Sequence, residues 1–254
     1  MMSLYTRIPL PLIEWNEKNT KYVLTVLPLS GVLIGAAEAV WLAAGRMAGI
    51  HAPLYAAVSC GLPLLINGGI HLDGLADTID ARASYASPER RREILHDPRT
   101  GAFGAAGIVL YELLTFGVYC ELYECPKTVG RTAGALSVLM ILVFAVPRML
   151  VQIAVCVIPP SAPEGMLYTM SSVSSRPLNL IIASGLLLLC MAVAVSQQGW
   201  AAALYMGAAV LLMLYFRRFS IRQFEGLSGD LCGWLLKVSE TVLLAAVFVT
   251  LRYL

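Results

Sequence analysis

Charge is what this sequence is short of. Only 13% of its 254 residues are Asp, Glu, Lys or Arg, against about a quarter in soluble domains, so a water-soluble globule is excluded. No excess of one sign compensates. With 18 Lys and Arg against 16 Asp and Glu the net charge is +2, which gives no reason to expect a nucleic-acid partner. No CxxC or Cys/His spacing appears among Cys60, Cys120, Cys125, Cys156, Cys190 and Cys232. A disulfide framework and a structural zinc are therefore not expected, and the thiols read as small buried hydrophobes. The first 22 residues carry early acids and prolines and no small-residue cleavage pattern, so a removable signal peptide is not expected. Internal repeats and low-complexity tracts are also absent.

Apolar length is what the chain has. It is 58% hydrophobic with a mean hydropathy of +0.74, and a bilayer is crossed by about 20 apolar residues. The runs at 24–45, 51–70, 105–121, 132–157, 178–196, 199–216 and 235–251 predict an all-α, polytopic transmembrane bundle. About seven spans are expected, within a range of six to eight, forming a single integral-membrane domain over 1–254. An amphipathic N-terminal segment, a polar stretch at 71–104, a short loop at 122–131, a Pro/Ser-rich loop at 158–177 and a Gly-rich loop at 217–234 separate them. If the N-terminus is inside, Arg7, Lys18, Lys21, Arg82, Arg90, Arg91, Arg92, Arg99, Arg176, Arg217, Arg218 and Arg222 fall on one side, against Arg46, Lys127, Arg131 and Arg252 on the other. Basic residues are retained in the cytoplasm. The bias puts the polar segments 71–104 and 217–234 together on the cytoplasmic face.

Three carboxylates stand in HLDGLADTIDARA at 71–83. Asp73, Asp77 and Asp80 occur at i, i+4 and i+7, one stripe of a helix. Like charges so placed repel, and beside a bilayer the effect grows, so a bound cation is expected between them. A hard divalent ion such as Mg²⁺ suits oxygen ligands, above all when phosphates complete its octahedron. A solvated helix end is the plain alternative. RRREILHDPRTGAFG at 90–104 adds Arg90, Arg91, Arg92, His96, Asp97 and Arg99. Arginine forks grip phosphate, Asp97 is a further candidate metal ligand, and Gly101 with Gly104 are read as leaving backbone N–H groups open to an oxyanion. Membrane anchoring also accounts for part of the arginine run. A third segment, EGLSGDLCGWLLKVSE at 225–240, places Gly226, Gly229, Asp230 and Gly233 at a span entry. That density of glycine reads as a tight ligand-facing turn rather than plain helix, with helix packing favoured for Gly233.

Ionisable residues within spans are costly in hydrocarbon. Arg148 follows Pro147, where a helix break is predicted, and Arg148 is read as a substrate-binding residue. Glu38 and Glu112 read as packing or span-end residues, and His51, next to Pro53, as interfacial.

These residues resemble the cobalamin synthase family, the adenosylcobinamide-GDP ribazoletransferases, over nearly the whole chain. TRIPLP at 6–11, LPLSGVLIG at 27–35, GGIHLDGLADTID at 68–80, HDPRTGAFG at 96–104 and GLSGDLCG at 226–233 carry the likeness. ARASYAS at 81–87 and Glu225 depart from its glycine-rich pattern. The resemblance implies attack by the 3′-hydroxyl of α-ribazole, or of its 5′-phosphate, on adenosylcobinamide-GDP with release of GMP. It further implies Mg²⁺ on Asp73, Asp77 and Asp97, with Asp80 as a further ligand or the base and His71 or His96 as alternative bases. The diphosphate and substrates would meet Arg90, Arg91, Arg99, Gly101, Arg148, Gly229 and Asp230. Other late cobalamin-assembly enzymes, a homo-oligomeric partner and the lipid bilayer complete the implied partners. Two rivals remain. A CDP-alcohol phosphotransferase also clusters aspartates, but its later Gly and Asp spacing is missing. A secondary transporter would use Glu38 and Glu112 at the midplane, whereas the polar cluster here lies outside the spans.

Overall fold

A computed structural model describes residues 2–9, 22–125 and 133–253. Lys18 and Lys21, most of the amphipathic N-terminal segment, the end of the 6–11 motif, and Lys127 and Arg131 lie outside the described residues. Among those described, the chain is helical, without a named strand.

The helices are α1 (Val23–Met47), α2 (Ala52–Asn67), α3 (Ile70–Ala83), α4 (Pro88–Leu95), α5 (Ala102–Glu124), α6 (Ala133–Val157), α7 (Met166–Val173), α8 (Arg176–Gln198), α9 (Ala202–Phe224) and α10 (Gly229–Tyr253). Five helical stretches are long and apolar enough to cross a membrane, or six if α2 and α3 form one broken span. The count falls below the seven expected at two places, one where a run is bent and one where two expected runs are counted as a single stretch. At 51–70 the helix ends at Asn67, and the chain turns by 99° into α3. Arg176–Phe224 is one stretch of 49 residues, about 74 Å of helix if straight, more than twice the hydrocarbon thickness. It folds back at Gly199. Gln198 donates to Thr250 at 2.8 Å, while Gln223, at the other end of α9, meets Arg91.

Those contacts define two ends of the bundle. One gathers Arg7, whose N–H donates to Ile66 at 2.7 Å, the Arg91–Gln223 pair, and Arg92 with the Ser161 carbonyl at 2.9 Å. The opposite end gathers Cys125 with Leu251 and Arg46 over the Tyr123 ring. The segments 71–104 and 217–228 thus share one polar face, as the basic residues implied.

The core centres on α6, buried along most of its length. Gly31 and Gly35 let α1 lie against it: a Cβ at either would stand 2.3 Å from the Phe144 carbonyl oxygen or 2.4 Å from Ile141 Cα. Small residues four apart permit such close approach between membrane helices. The break predicted at Pro147 is absent; α6 runs through it, because neighbouring groups in a packed membrane helix make up for the one missing donor. The loop expected at 217–234 is also mostly helix. Arg217, Arg218 and Arg222 continue α9 to Phe224, and α10 starts at Gly229. Charged side chains leave a span at its polar end without ending the backbone ladder. Only 225–228 is turn, with Glu225 left-handed at φ 57°.

Candidate functional site

The bend between α2 and α3 sets the geometry. Gly68 and Gly69 both have positive φ, 74° and 85°, a region that suits glycine. Asn67 locks the turn, its Oδ1 accepting from the Gly69 N–H at 3.0 Å. Turned by 99°, α3 carries the acidic stripe across the polar end of the bundle.

Asp73 is exposed and Asp77 half-buried on this helix. At Gly74 the helix lies against α10 so closely that a Cβ would stand 2.8 Å from Asp230 Cα. Asp230, in the first turn of α10, is thereby brought into electrostatic reach of Asp73, Asp77 and His96. The consequence falls on Asp77: burial, then the carboxylates of Asp73, Asp230 and Asp80, push its acid up to about 6. Like charges crowd here.

Asp80 has a different job. Its Oδ2 accepts the Gly101 N–H at 2.7 Å and its Oδ1 the Gly104 N–H at 2.8 Å, so the carboxylate caps the first turn of α5. Gly101 and Gly104 therefore do not offer open N–H groups to an oxyanion, because Asp80 already holds them. Their lack of side chains has a local reason, since a Cβ would fall 2.5 Å or 2.3 Å from an Asp80 oxygen.

The remaining candidates divide between the polar face and the interior. Asp97 is bound to Arg99, whose Nε and Nη2 donate at 3.0 and 2.8 Å; these bonds hold the Asp97 acid down at about 2. Arg90 pairs with Glu93 at the surface, Arg91 with Gln223, and Arg92 with Glu225 at 2.7 Å. His96 ends α4, is exposed, and borders a cleft of about 250 Å³ with Arg92, Ser161 and Ser228. Gly229 opens α10 with free space where a Cβ would be. His71 sits two positions from Asp73, roughly 200° around the helix, and faces an apolar cavity of about 140 Å³ with Tyr5, Met166 and Cys232. Its Nδ1 lies 3.3 Å from Asn67 Nδ2. Arg148 is fully buried, paired with Glu240 and donating to the Phe144 carbonyl at 2.7 Å. It belongs to the bundle interior rather than to the polar face. Glu38 is buried as well, and Glu112 borders a small cavity with Lys237 and Glu240.

Among the described residues no three His, Cys, Asp or Glu side chains enclose a metal position. A dedicated protein cage is not what Mg²⁺ needs, since it is commonly held by one or two carboxylates with water and substrate phosphates. The donor set at Asp73, Asp77 and Asp230 fits that mode. Reading the sequence alone overlooked Asn67, Ser161, Ser228 and Gln223. The Asn-Gly-Gly run at 67–69 was the visible signal for the first of these.

A polytopic membrane protein with a carboxylate-rich, arginine-flanked polar face is the class this geometry defines. The family described as cobalamin-5-phosphate synthase matches residues 1–248. Curated proteins named adenosylcobinamide-GDP ribazoletransferase are similar to the chain: 33% identical over 97% of it in Desulfitobacterium hafniense, covering 94% of that protein. The figures are 31%, 92% and 86% for Lachnoclostridium phytofermentans, and 34%, 88% and 86% for Pseudomonas putida. No solved structure matches. The chain belongs to the cobalamin-5-phosphate synthase family, and its activity is cobalamin synthesis at the last stage of assembly.

Proposed function

We propose that the polar face joins the two halves of a cobamide by phosphoryl transfer, taking adenosylcobinamide-GDP and α-ribazole, or its 5′-phosphate, and releasing GMP. The observation that carries this reading is the close packing of α3 on α10 at Gly74, which sets Asp230 beside the Asp73–Asp77 stripe, next to the arginine-bearing helix α4. In the reaction the ribazole 3′-oxygen bonds to the cobinamide-proximal phosphorus, the bond from that phosphorus to the GMP oxygen breaks, and the hydroxyl proton leaves to a base. Little covalent chemistry is asked of the protein beyond positioning and charge stabilisation.

Asp73 and Asp77, with Asp230, would hold Mg²⁺, which when bound neutralises charge on the diphosphate. Asp97 stays on Arg99 and keeps that guanidinium aligned for the departing phosphate. His96, exposed and within reach of Asp230, is the base we favour over His71 and Asp80, because the one faces an apolar cavity and the other spends both oxygens on α5. The polar face is assigned to the cytoplasm, in the inner membrane, from the basic residues that gather there.

Purified protein in lipid, given adenosylcobinamide-GDP, α-ribazole and Mg²⁺ with no ion gradient, should release GMP and form a cobamide. Chelator should stop it. Turnover that needs a sealed vesicle and a gradient would favour the transporter reading, and turnover indifferent to chelator would remove the metal.

A further inference from the structure

On the far side of α3 from the acids, a second cleft of about 360 Å³ is lined by Arg82, Arg91, Arg218 and Arg222, with Tyr85 and Tyr215 beside them. Arg82 lies nine positions after Asp73, roughly 180° around the helix, so this cleft and the acidic stripe open in different directions. No carboxylate lines it. Among the described residues Arg82, Arg218 and Arg222 form no ion pair. Arg91 reaches only the Gln223 amide, and its buried Nε has no acceptor. Arg82 is held in place by the Phe219 ring, 5.8 Å from its guanidinium carbon.

Four guanidinium groups around one concavity repel one another unless an anion joins them. Their planar donor forks match phosphate oxygens. Ordinary anchoring at a helix end would spread basic side chains outward; here they converge from α3, α4 and α9. The approach to the cleft identifies the source of the phosphate. Along α9, Leu211 and Tyr215 are exposed, at 68% and 48%, and Arg218 and Arg222 continue the same stripe at helical spacing. A strip of exposed apolar side chains therefore runs directly into the arginines, and where the two meet stands Tyr215, an aromatic of the kind enriched at headgroup level. Basic pockets between membrane helices accept acidic lipid headgroups in this manner.

We infer that this cleft binds the headgroup phosphate of an anionic phospholipid, its acyl chains lying along Leu211 and Tyr215. The site is separate from the transfer reaction and does not rest on it.

The test uses the full chain purified in a neutral detergent. Phosphatidylglycerol should bind, seen as retained lipid in native mass spectrometry and a rise in Tm, whereas phosphatidylcholine should not. Arg218→Gln should weaken phosphatidylglycerol binding about tenfold, as expected for one phosphate-facing guanidinium. Arg217→Gln removes the same charge from the same helix end but outside the cleft lining, and should change binding less than twofold. Equal loss in the two variants would reduce the effect to surface charge and overturn the proposal. Displacement of the lipid by millimolar pyrophosphate or GMP would also overturn it, assigning the cleft to a soluble phosphate.

Discussion

Arg148 of α6 and Glu240 of α10 form an ion pair inside the bundle, and Lys237 holds the second Glu240 oxygen at 2.8 Å. One carboxylate thus answers two buried cations. Removing Glu240 strands both, while removing Arg148 leaves the Lys237–Glu240 pair intact. Breaking a buried pair costs about 3–5 kcal/mol. Glu240→Gln should therefore lower Tm and folded yield in detergent more than Arg148→Gln. Equal losses would show that the two cations do not share this carboxylate.

Asp80 offers a separation of structure from chemistry. Asp80→Ala removes the cap of α5 and should cost about 1–2 kcal/mol; Gly104→Ala, which presses a Cβ onto Asp80 Oδ2 and the Ala76 carbonyl, should destabilise the same junction. Thermal unfolding and turnover should fall together in both, with an unchanged pH profile of the remaining activity. An Asp80→Asn protein that melts like wild type but does not turn over would instead make Asp80 the base.

Asp77 governs a pH effect. Its acid stands at about 6, above the unfolded value near 4, so between about pH 4 and 6 folding takes up a proton. Without divalent ion, stability from this group is present below about pH 4 and is lost as pH rises through about 6. Mg²⁺ needs the ionised carboxylate, so Mg²⁺-dependent stabilisation should appear over the same rise. Melting curves with chelator and with Mg²⁺ across this range, for wild type and Asp77→Asn, measure both trends; parallel curves would refute them. Turnover by Asp77→Asn should drop roughly 100-fold at low Mg²⁺, with partial recovery as Mg²⁺ is raised.

Orientation is tested by thiol labelling. Glu89→Cys on the polar face should be blocked by an impermeant reagent only when the cytoplasmic side is opened, and Met47→Cys, at the other end of α1, should react in intact cells. The reverse pattern would invert the assignment made from basic residues.

Local periodicity carried the apolar runs and the helical stripe of Asp73 and Asp77 into the fold, because side-chain spacing along one helix needs no tertiary information. Asp80 could not be read that way. Its partners are backbone amides of Gly101 and Gly104, more than a score of residues away, and only the packing of α3 on α5 brings them together. Arg148 shows a related limit: its partner Glu240 lies on a distant helix, so the ion pair could not be read from the span that carries the arginine. The segment 217–234 read as a Gly-rich loop although 217–224 is helix, since composition reports polarity and not whether the backbone ladder continues.

The short helix before the Gly68–Gly69 turn has a consequence for synthesis. With 16 residues, α2 supplies about 24 Å of helix, less than the roughly 30 Å a bilayer asks of a solitary crossing. Of its packing partners, α1 is made before it, joined through Trp41 and Tyr55, but α5 emerges from the ribosome only after α3 and α4. The packing that completes α2, and with it the surface that carries the acids, therefore depends on a helix made later in the chain.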